Sequence, residues 1–229
     1  MAGITGSMTV GDLVVVRPGA ARVLRQHQID FCCGGQRTLA EACQERGLHL
    51  DVLIAQLTDD APPADDDAAP QGMSTKELIG HIVERHHRYL RRALPSVQQM
   101  ASTVARVHGA HNPNLSQLDS QLNTLGDSLL SHLDTEEEVL FPLLLARSAD
   151  PVARSVELEM MLGEHRAVGT ALERIRVLTD NFTLPDWACA TYRALFAELE
   201  SMEADIHQHV HLENNVLMPR FPAPPVSHS

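Results

Sequence analysis

The chain has 229 residues and a composition that favours helices. Hydrophobic residues make up 44% of it but aromatic residues only 3%, so leucine, alanine and valine must form the core, as in helices packed on helices. The formal net charge of −12 argues against nucleic acid and against a membrane surface as partners, because both attract basic proteins. No apolar run has the length of a membrane span, and no secretory signal is found.

The cysteines do not form the disulfide framework of a small secreted domain. Cys32 and Cys33 are adjacent, whereas Cys43 and Cys189 are isolated. This usage is typical of a reducing cytosol, where cysteines are buried, bound to metal or redox-active. We therefore expect a cytoplasmic protein.

Residues 8–58 are predicted to form a small helical domain. Pro18-Gly19 precedes the helix-forming run that follows it, and Cys32-Cys33-Gly34-Gly35 predicts a sharp turn. Thr38 with Glu41 is a capping-box pattern, which predicts the start of the next helix.

A linker and a larger helical domain are predicted to follow. Residues 59–73 are acidic, rich in proline and poor in apolar residues, as in an extended linker. Ser74 with Glu77 is a second capping-box pattern and opens the domain at residues 74–220. Helical stretches are expected at about 74–107, 114–146, 151–180 and 186–216. Long helices with short connections favour an all-α, up-down-up-down four-helix bundle preceded by the small helical domain.

One motif occurs twice in the predicted bundle: a histidine and a glutamate four residues apart, followed by Val-Leu-x-Pro. The copies are His132 and Glu136 with Val139 to Pro142, and His209 and Glu213 with Val216 to Pro219. Residues four apart share one face of a helix, and here that face is apolar. Buried carboxylates are costly unless a cation neutralises them, so the motif predicts a metal centre.

Other histidines are candidates for the same centre. His165 lies on an apolar face of the third stretch. His86 and His87 on the first stretch both have apolar neighbours, and periodicity leaves either possible. His207 and His211 share a face with Glu203 that is predicted to be solvated.

The predicted donor set contains four imidazoles and two carboxylates. A structural zinc site has four ligands and a closed geometry, so this larger mixed set fits a non-haem di-iron centre better. Such a centre could bind or reduce small diatomic molecules. Glu164 could orient a ligand or relay protons there, whereas Glu137 and Glu138 are predicted to be solvated.

The adjacent cysteines suggest a redox function. Two neighbouring thiols can deliver two electrons and close as a disulfide. We hypothesise that Cys32 and Cys33 meet the metal centre or its entrance, where they could reduce it or receive iron. Cys43 and Cys189 are predicted to be packing residues.

Taken together, these residues resemble the repair-of-iron-centres (RIC) proteins, bacterial di-iron proteins with a hemerythrin-like domain. Asp30 to Gly35 resembles that family's Cys-Cys domain, and residues 74–219 resemble its bundle. The resemblance implies two iron ions bridged by the two glutamates and by an oxo or hydroxo group. The implied ligands are His87, His132, Glu136, His165, His209 and Glu213.

The resemblance also implies a function. The family is implicated in restoring iron–sulfur clusters damaged by nitric oxide or oxidants, so damaged iron–sulfur proteins are expected clients and a redox reaction of nitric oxide is possible. A carrier or sensor of oxygen or nitric oxide, and a stoichiometric iron donor, are the alternatives. Glu164 matches a family position, but Ser128 stands where the family can carry a glutamate. The sequence leaves both a monomer and a homodimer open.

Overall fold

The computed structural model describes residues 3–59, 70–146 and 150–222 of the chain. The secondary structure of these residues is helical, with one isolated β-bridge between Thr9 and Thr38. The predicted all-α fold class is confirmed. Most of the predicted linker, residues 60–69, lies outside the described residues, and the predicted domain boundaries stay predictions. None of the described helices combines the length and the apolar character that crossing a bilayer requires.

The described residues divide into two compact units. The first contains residues 3–59, 70–78 and 207–222, and is called the amino-terminal unit below. The second, the bundle unit, contains residues 79–146 and 150–206. The last part of the fourth predicted stretch therefore belongs to the amino-terminal unit.

Four short helices open the amino-terminal unit. They are α1 Val10–Val16, α2 Ala20–Gln26, α3 Leu39–Arg46 and α4 Leu50–Asp59. The capping box before α3 is confirmed: the Glu41 amide donates to Thr38 Oγ1 at 3.2 Å, and the Thr38 amide donates to Glu41 Oε2 at 2.8 Å. Leu13, Leu24 and Leu39 are fully buried, so these helices enclose an apolar core of their own.

The helices of the second predicted domain follow in the predicted order. They are α5 Thr75–Ile82, α6 Arg88–His108, α7 Asn114–Thr135, α8 Phe141–Leu145, α9 Pro151–Leu178 and α10 Ala190–His211. The capping box that opens α5 is also confirmed, because the Ser74 amide donates to Glu77 Oε2 at 2.8 Å and the Glu77 amide donates to Ser74 Oγ at 3.3 Å. The fourth stretch begins at Ala190 and not near Asp186, because residues 186–189 form a turn and loop before it.

Cross-helix contacts show that neighbouring helices of the bundle unit run in opposite directions. Early α6 meets the residues just after α7, and late α6 meets early α7. The contacts are Arg91 with Glu137 at 3.0 Å and Ser102 with Asp119 at 2.6 Å. The same reversal relates α7 to α9, through Gln117 with Arg174 at 2.9 Å and His132 with Glu164 at 2.6 Å. These contacts agree with the up-down-up-down topology.

Three π-helical segments interrupt the long helices. They are π1 Val83–His87, π2 Glu136–Leu140 and π3 Leu212–Leu217. Pro142 and Pro219 each come two residues after a π segment ends. A proline ring clashes with the carbonyl of the residue four positions earlier, and that residue lies inside π2 or π3. The repeated Val-Leu-x-Pro tail thus accompanies a local widening of the helix, a feature that often marks functional sites.

Candidate metal centre

Glu136 forms the centre of a buried cluster of imidazoles in the bundle unit. Its carboxylate is 1% exposed and is approached by three ring nitrogens. His87 Nε2 lies 3.4 Å from Glu136 Oε2, whereas His132 Nε2 and His165 Nε2 lie 3.3 and 3.9 Å from Oε1. The two carboxylate oxygens therefore face different histidines.

The donor chemistry of this cluster suits metal ions. His132 Nε2 and His165 Nε2 are 3.2 Å apart, and with a carboxylate oxygen of Glu136 they lie within 4.8 Å of one another. Borderline divalent metals accept imidazole and carboxylate together. A cation among these atoms would also offset the cost of burying the glutamate. The buried His and Glu side chains therefore suit an iron centre.

Carboxylates outside the cluster orient two of its histidines. His87 Nδ1 lies 2.9 Å from Glu137 Oε1, and His132 Nδ1 lies 2.6 Å from Glu164 Oε2. Because a carboxylate oxygen accepts, each Nδ1 is the donor, and each ring directs its Nε2 toward Glu136. Carboxylates in this position fix the ring orientation of metal-binding histidines and raise their basicity.

Glu137 is not the solvated residue that the sequence predicts. Its burial opposes ionisation, but hydrogen bonds from His87 and Arg91 outweigh that effect and lower its pKa. Arg91 Nη2 lies 3.0 Å from the same oxygen, Oε1. Sequence reasoning missed this residue because regular α-helical spacing does not hold in π2.

The two neighbouring histidines of π1 have different surroundings. Both are 1% exposed. His86 Nδ1 donates to Asp205 Oδ1 at 2.9 Å, whereas His87 Nε2 faces Glu136. The structure therefore brings His87 into the cluster beside Glu136.

His209 and Glu213 form a buried pair in the amino-terminal unit. His209 lies in α10 and Glu213 in π3, with Nε2 and Oε1 3.1 Å apart and both residues 0% exposed. This second His/Glu pair offers the same two donor types as His132 and Glu136.

Two residues on the face expected to be solvated are in fact buried. His211 is 2% exposed, and its ring centroid lies 5.7 Å from that of Phe31. Burial lowers the pKa of His211 to about 4, although a hydrogen bond with the Phe31 backbone opposes the shift. Glu203 is 2% exposed because the Arg176 guanidinium pairs with it, Nε donating to Oε1 at 2.6 Å. The expectation was wrong because helical periodicity alone does not show which neighbours cover a polar face.

The Cys-Cys turn wraps around the carboxylate of Asp30. The amides of Cys32 and Cys33 donate to Asp30 Oδ1 at 3.0 and 2.9 Å, and the Gly34 amide donates to Oδ2 at 2.8 Å. The two sulfurs are 3.7 Å apart, and no disulfide joins the two thiols. A hydrogen bond to Cys33, burial and the Asp30 charge all raise the pKa of Cys32. The Cys32 thiol is therefore held in its protonated form.

Two asparagines after Glu213 contact this turn within the amino-terminal unit. Asn214 Nδ2 donates to the Cys32 carbonyl at 3.2 Å, and Asn215 Nδ2 donates to the Phe31 carbonyl at 3.3 Å. A Cβ on Gly35 would lie 2.8 Å from Asn215 Oδ1, so the close approach requires glycine there. The sequence analysis missed these asparagines, although they directly follow a predicted ligand.

Other predicted residues lie apart from these clusters. Cys43 is buried, as predicted for a packing residue. Cys189 is exposed, so its predicted packing role is wrong. It lies at the surface, directly before α10. Ser128 is exposed on α7, one turn before His132.

Antiparallel helices with inward-facing histidines and glutamates define a class, the hemerythrin-like cation-binding bundles. Residues 78–221 match the family model described as the hemerythrin HHE cation binding domain. Residues 6–61 match ScdA_N, described as a domain of unknown function, DUF542.

Curated relatives share both parts of the chain. The iron-sulfur cluster repair protein YtfE of Yersinia pseudotuberculosis serotype IB (strain PB1/+) is 37% identical over 216 residues, which cover 93% of this chain and 96% of the relative. The protein of that name from Yersinia pestis (strain Pestoides F) matches with the same identity and coverage. The chain therefore belongs to the repair-of-iron-centres (RIC) family, and the predicted resemblance is confirmed.

Proposed function

We propose that this protein repairs iron–sulfur clusters damaged by nitric oxide or oxidative stress, and that it does so in the cytoplasm with a non-haem di-iron centre. The observation that carries the proposal is the position of Glu136, whose two oxygens face separate histidines. The relatives named iron-sulfur cluster repair proteins support the biological role. The clients would be iron–sulfur proteins.

The proposed centre holds two irons with an oxo or hydroxo bridge between them. Its ligands would be His87, His132, Glu136, His165, His209 and Glu213. When bound, such a centre supplies redox equivalents and open coordination positions for nitric oxide or oxygen. Glu137 and Glu164 would keep the His87 and His132 rings in place, so that the ligand positions are preformed.

The exposed part of Glu164 gives it a possible second role. Its side chain is 49% exposed, while its Oε2 accepts from the buried His132 ring at 2.6 Å. A carboxylate that touches both solvent and a buried imidazole can pass a proton between them. We propose that Glu164 has this role in addition to orienting His132.

Cys32 and Cys33 would serve the centre as a dithiol. The buried Cys32 is held protonated, and Cys33 is half-buried. Cys33 is therefore the more accessible thiol and would attack the partner first. Cys32 would then form the disulfide with Cys33 and release the partner. The pair would supply two electrons to the centre or accept iron in transfer to a client.

One set of measurements separates the three functions. Protein purified without added metal is assayed for iron per chain and for its visible spectrum, then challenged with nitric oxide and with a damaged cluster protein. Two irons per chain and repeated turnover support redox repair. Reversible ligand binding without turnover indicates a carrier or sensor, and stoichiometric loss of iron indicates a donor. Tight zinc, or no metal, would refute the centre.

A further inference from the structure

A cysteine–histidine pair lies in the bundle unit, away from the candidate metal centre. Cys189 is exposed, and its Sγ lies 3.2 Å from Nε2 of His108. His108 ends α6, whereas His87 immediately precedes that helix, so the pair is about 30 Å from His87 along α6. Nothing proposed for the iron centre uses these two residues.

Cys189 lies at the start of α10. The Cys189 carbonyl accepts from the Arg193 amide at 3.0 Å, so the residue occupies the start of α10, at the positive end of the helix dipole. The Arg193 side chain folds back and donates from Nε to the Ala188 carbonyl at 3.1 Å. The thiol thus lies at a helix N-terminus with an imidazole nitrogen at hydrogen-bond distance, so a base is in place to take its proton.

A cleft adjoins the pair. It has a volume of about 320 Å³, and His111, Asn112, Asp180, Thr183, Trp187 and Tyr192 are among its lining residues. The Trp187 and Tyr192 rings also contact His108, with centroids 5.5 and 5.9 Å from the imidazole. Two rings that line the cleft thus contact the imidazole of the pair, and the volume lies in the range of small-molecule sites.

The loop that borders the cleft has a strained backbone. Asp180, Asn181 and Phe182 have φ values of 48, 53 and 61°, in the left-handed region. Three consecutive non-glycine residues in this region are energetically costly, and such strain is concentrated at functional sites. The loop ends just before Trp187, so its conformation shapes the cleft.

We propose that Cys189 is a site of reversible S-thiolation by a low-molecular-weight peptide disulfide, with His108 as the base. Cys189 Sγ attacks one sulfur of the disulfide while His108 Nε2 takes the thiol proton. The disulfide S–S bond breaks and a mixed disulfide forms on Cys189. The other half leaves as a thiolate and takes the proton from His108. One disulfide is consumed, one thiol is released, and the retained peptide occupies the cleft.

Glutathione disulfide is the probe, applied to the iron-loaded full-length protein. Peptide mapping by mass spectrometry identifies the modified cysteine, and reduction with dithiothreitol tests reversibility. Trp187 is the one tryptophan of the sequence, and its ring contacts His108, so its fluorescence follows the reaction. We expect one glutathione on Cys189, removed by the reductant. Modification of Cys33 with Cys189 left free would overturn the proposal.

The base is tested with two matched variants. His108→Gln is expected to slow modification of Cys189 by at least about tenfold. His111→Gln is the control, because it removes an imidazole that also contacts Trp187 but has no bond to the sulfur. Since His111 lines the cleft, this control is measured with bis(2-hydroxyethyl) disulfide, which has no peptide to place there, and the rate of Cys189 modification should be unchanged. Circular dichroism checks that both variants fold. Equal rates in His108→Gln and the parent protein would refute the role of His108.

The cleft is tested by comparing two disulfides. The parent protein should react faster with glutathione disulfide than with bis(2-hydroxyethyl) disulfide, which has no peptide to place in the cleft. Thr183→Trp would fill the cleft, and it should remove this preference without changing the rate with the smaller disulfide. Should the parent show no preference, the cleft has no part in the reaction. Cys189→Ser should retain full iron content and lose all fluorescence response.

Discussion

Asn214 Nδ2 donates a hydrogen bond to the Cys32 carbonyl at 3.2 Å, and Asn214 directly follows Glu213. Asn215 extends this contact to the Phe31 carbonyl and also bonds the His211 ring at 3.1 Å. The two asparagines thus join the Cys-Cys turn to the helical turn that carries a proposed iron ligand. A change in the conformation of the Cys-Cys turn can therefore alter the position of Glu213, because the hydrogen bonds and the backbone connect them within one compact unit.

Replacing Asn215 should loosen the Cys-Cys turn. Asn215→Ala removes a donor that bonds two backbone carbonyls, and we expect a loss of about 1–3 kcal/mol in the free energy of unfolding. The alkylation rate of Cys32 should rise, because the turn that buries it opens more often. Urea denaturation and timed alkylation measure both effects. Asn123→Ala, in an exposed helix position, is the control, and an unchanged Cys32 rate would contradict the prediction.

Replacing Glu136 should abolish iron binding and stabilise the iron-free protein. Glu136→Leu removes a carboxylate that is 1% exposed among histidines. The effective cost of burying one ion in a protein is several kcal/mol, and the apoprotein has no cation to offset it, so we expect Glu136→Leu to raise its free energy of unfolding by about 1–4 kcal/mol. Iron analysis and thermal melting of the apoprotein check the two parts. Glu138→Leu, on the exposed side of π2, should keep its iron, and an iron-loaded Glu136→Leu protein would refute the site.

The carboxylates behind the histidines should tune iron affinity without being ligands. Glu164→Gln keeps the shape of the side chain but weakens the hydrogen bond to His132 Nδ1. Loss of such a partner costs about 10–100-fold in metal affinity, which competition with a chelator measures. Glu137→Gln should behave in the same way through His87. Glu159→Gln, exposed on α9, is the control, and wild-type affinity in both test variants would argue against this role.

Much of the fold followed from local patterns. Thr38 and Ser74 each satisfy the capping box that the sequence predicts, because that motif depends on residues within one turn. The His/Glu spacing of the two copies also held, since both pairs are buried and in contact. These features depend on short-range geometry, which a sequence displays directly.

Features that depend on tertiary contacts were not predictable in this way. The π segments change the number of residues per turn, so His86 and His87 are both buried and Glu137 reaches His87, contrary to regular α-helical spacing. His211 is covered by Phe31, which lies far away in the chain. Cys189 has His108 beside it only because α6 and α10 are neighbours. In each case the deciding partner comes from another element, and no local pattern identifies it.

The two adjacent thiols should react in a fixed order. The hydrogen bond with Cys33, burial and the Asp30 charge raise the pKa of Cys32, so near neutral pH almost all of it is thiol, and its reaction begins only as the pH rises toward that raised value. Cys33 is half-buried and should be alkylated first, by at least about tenfold, because the thiolate is the reactive form. Peptide mapping after brief alkylation at two pH values measures the order, with buried Cys43 as the unreactive control. Asp30→Asn removes the charge that opposes the Cys32 thiolate, and it should reduce the difference in alkylation rate between Cys33 and Cys32. Equal labelling of Cys32 and Cys33 in the parent protein would show that the turn does not distinguish them.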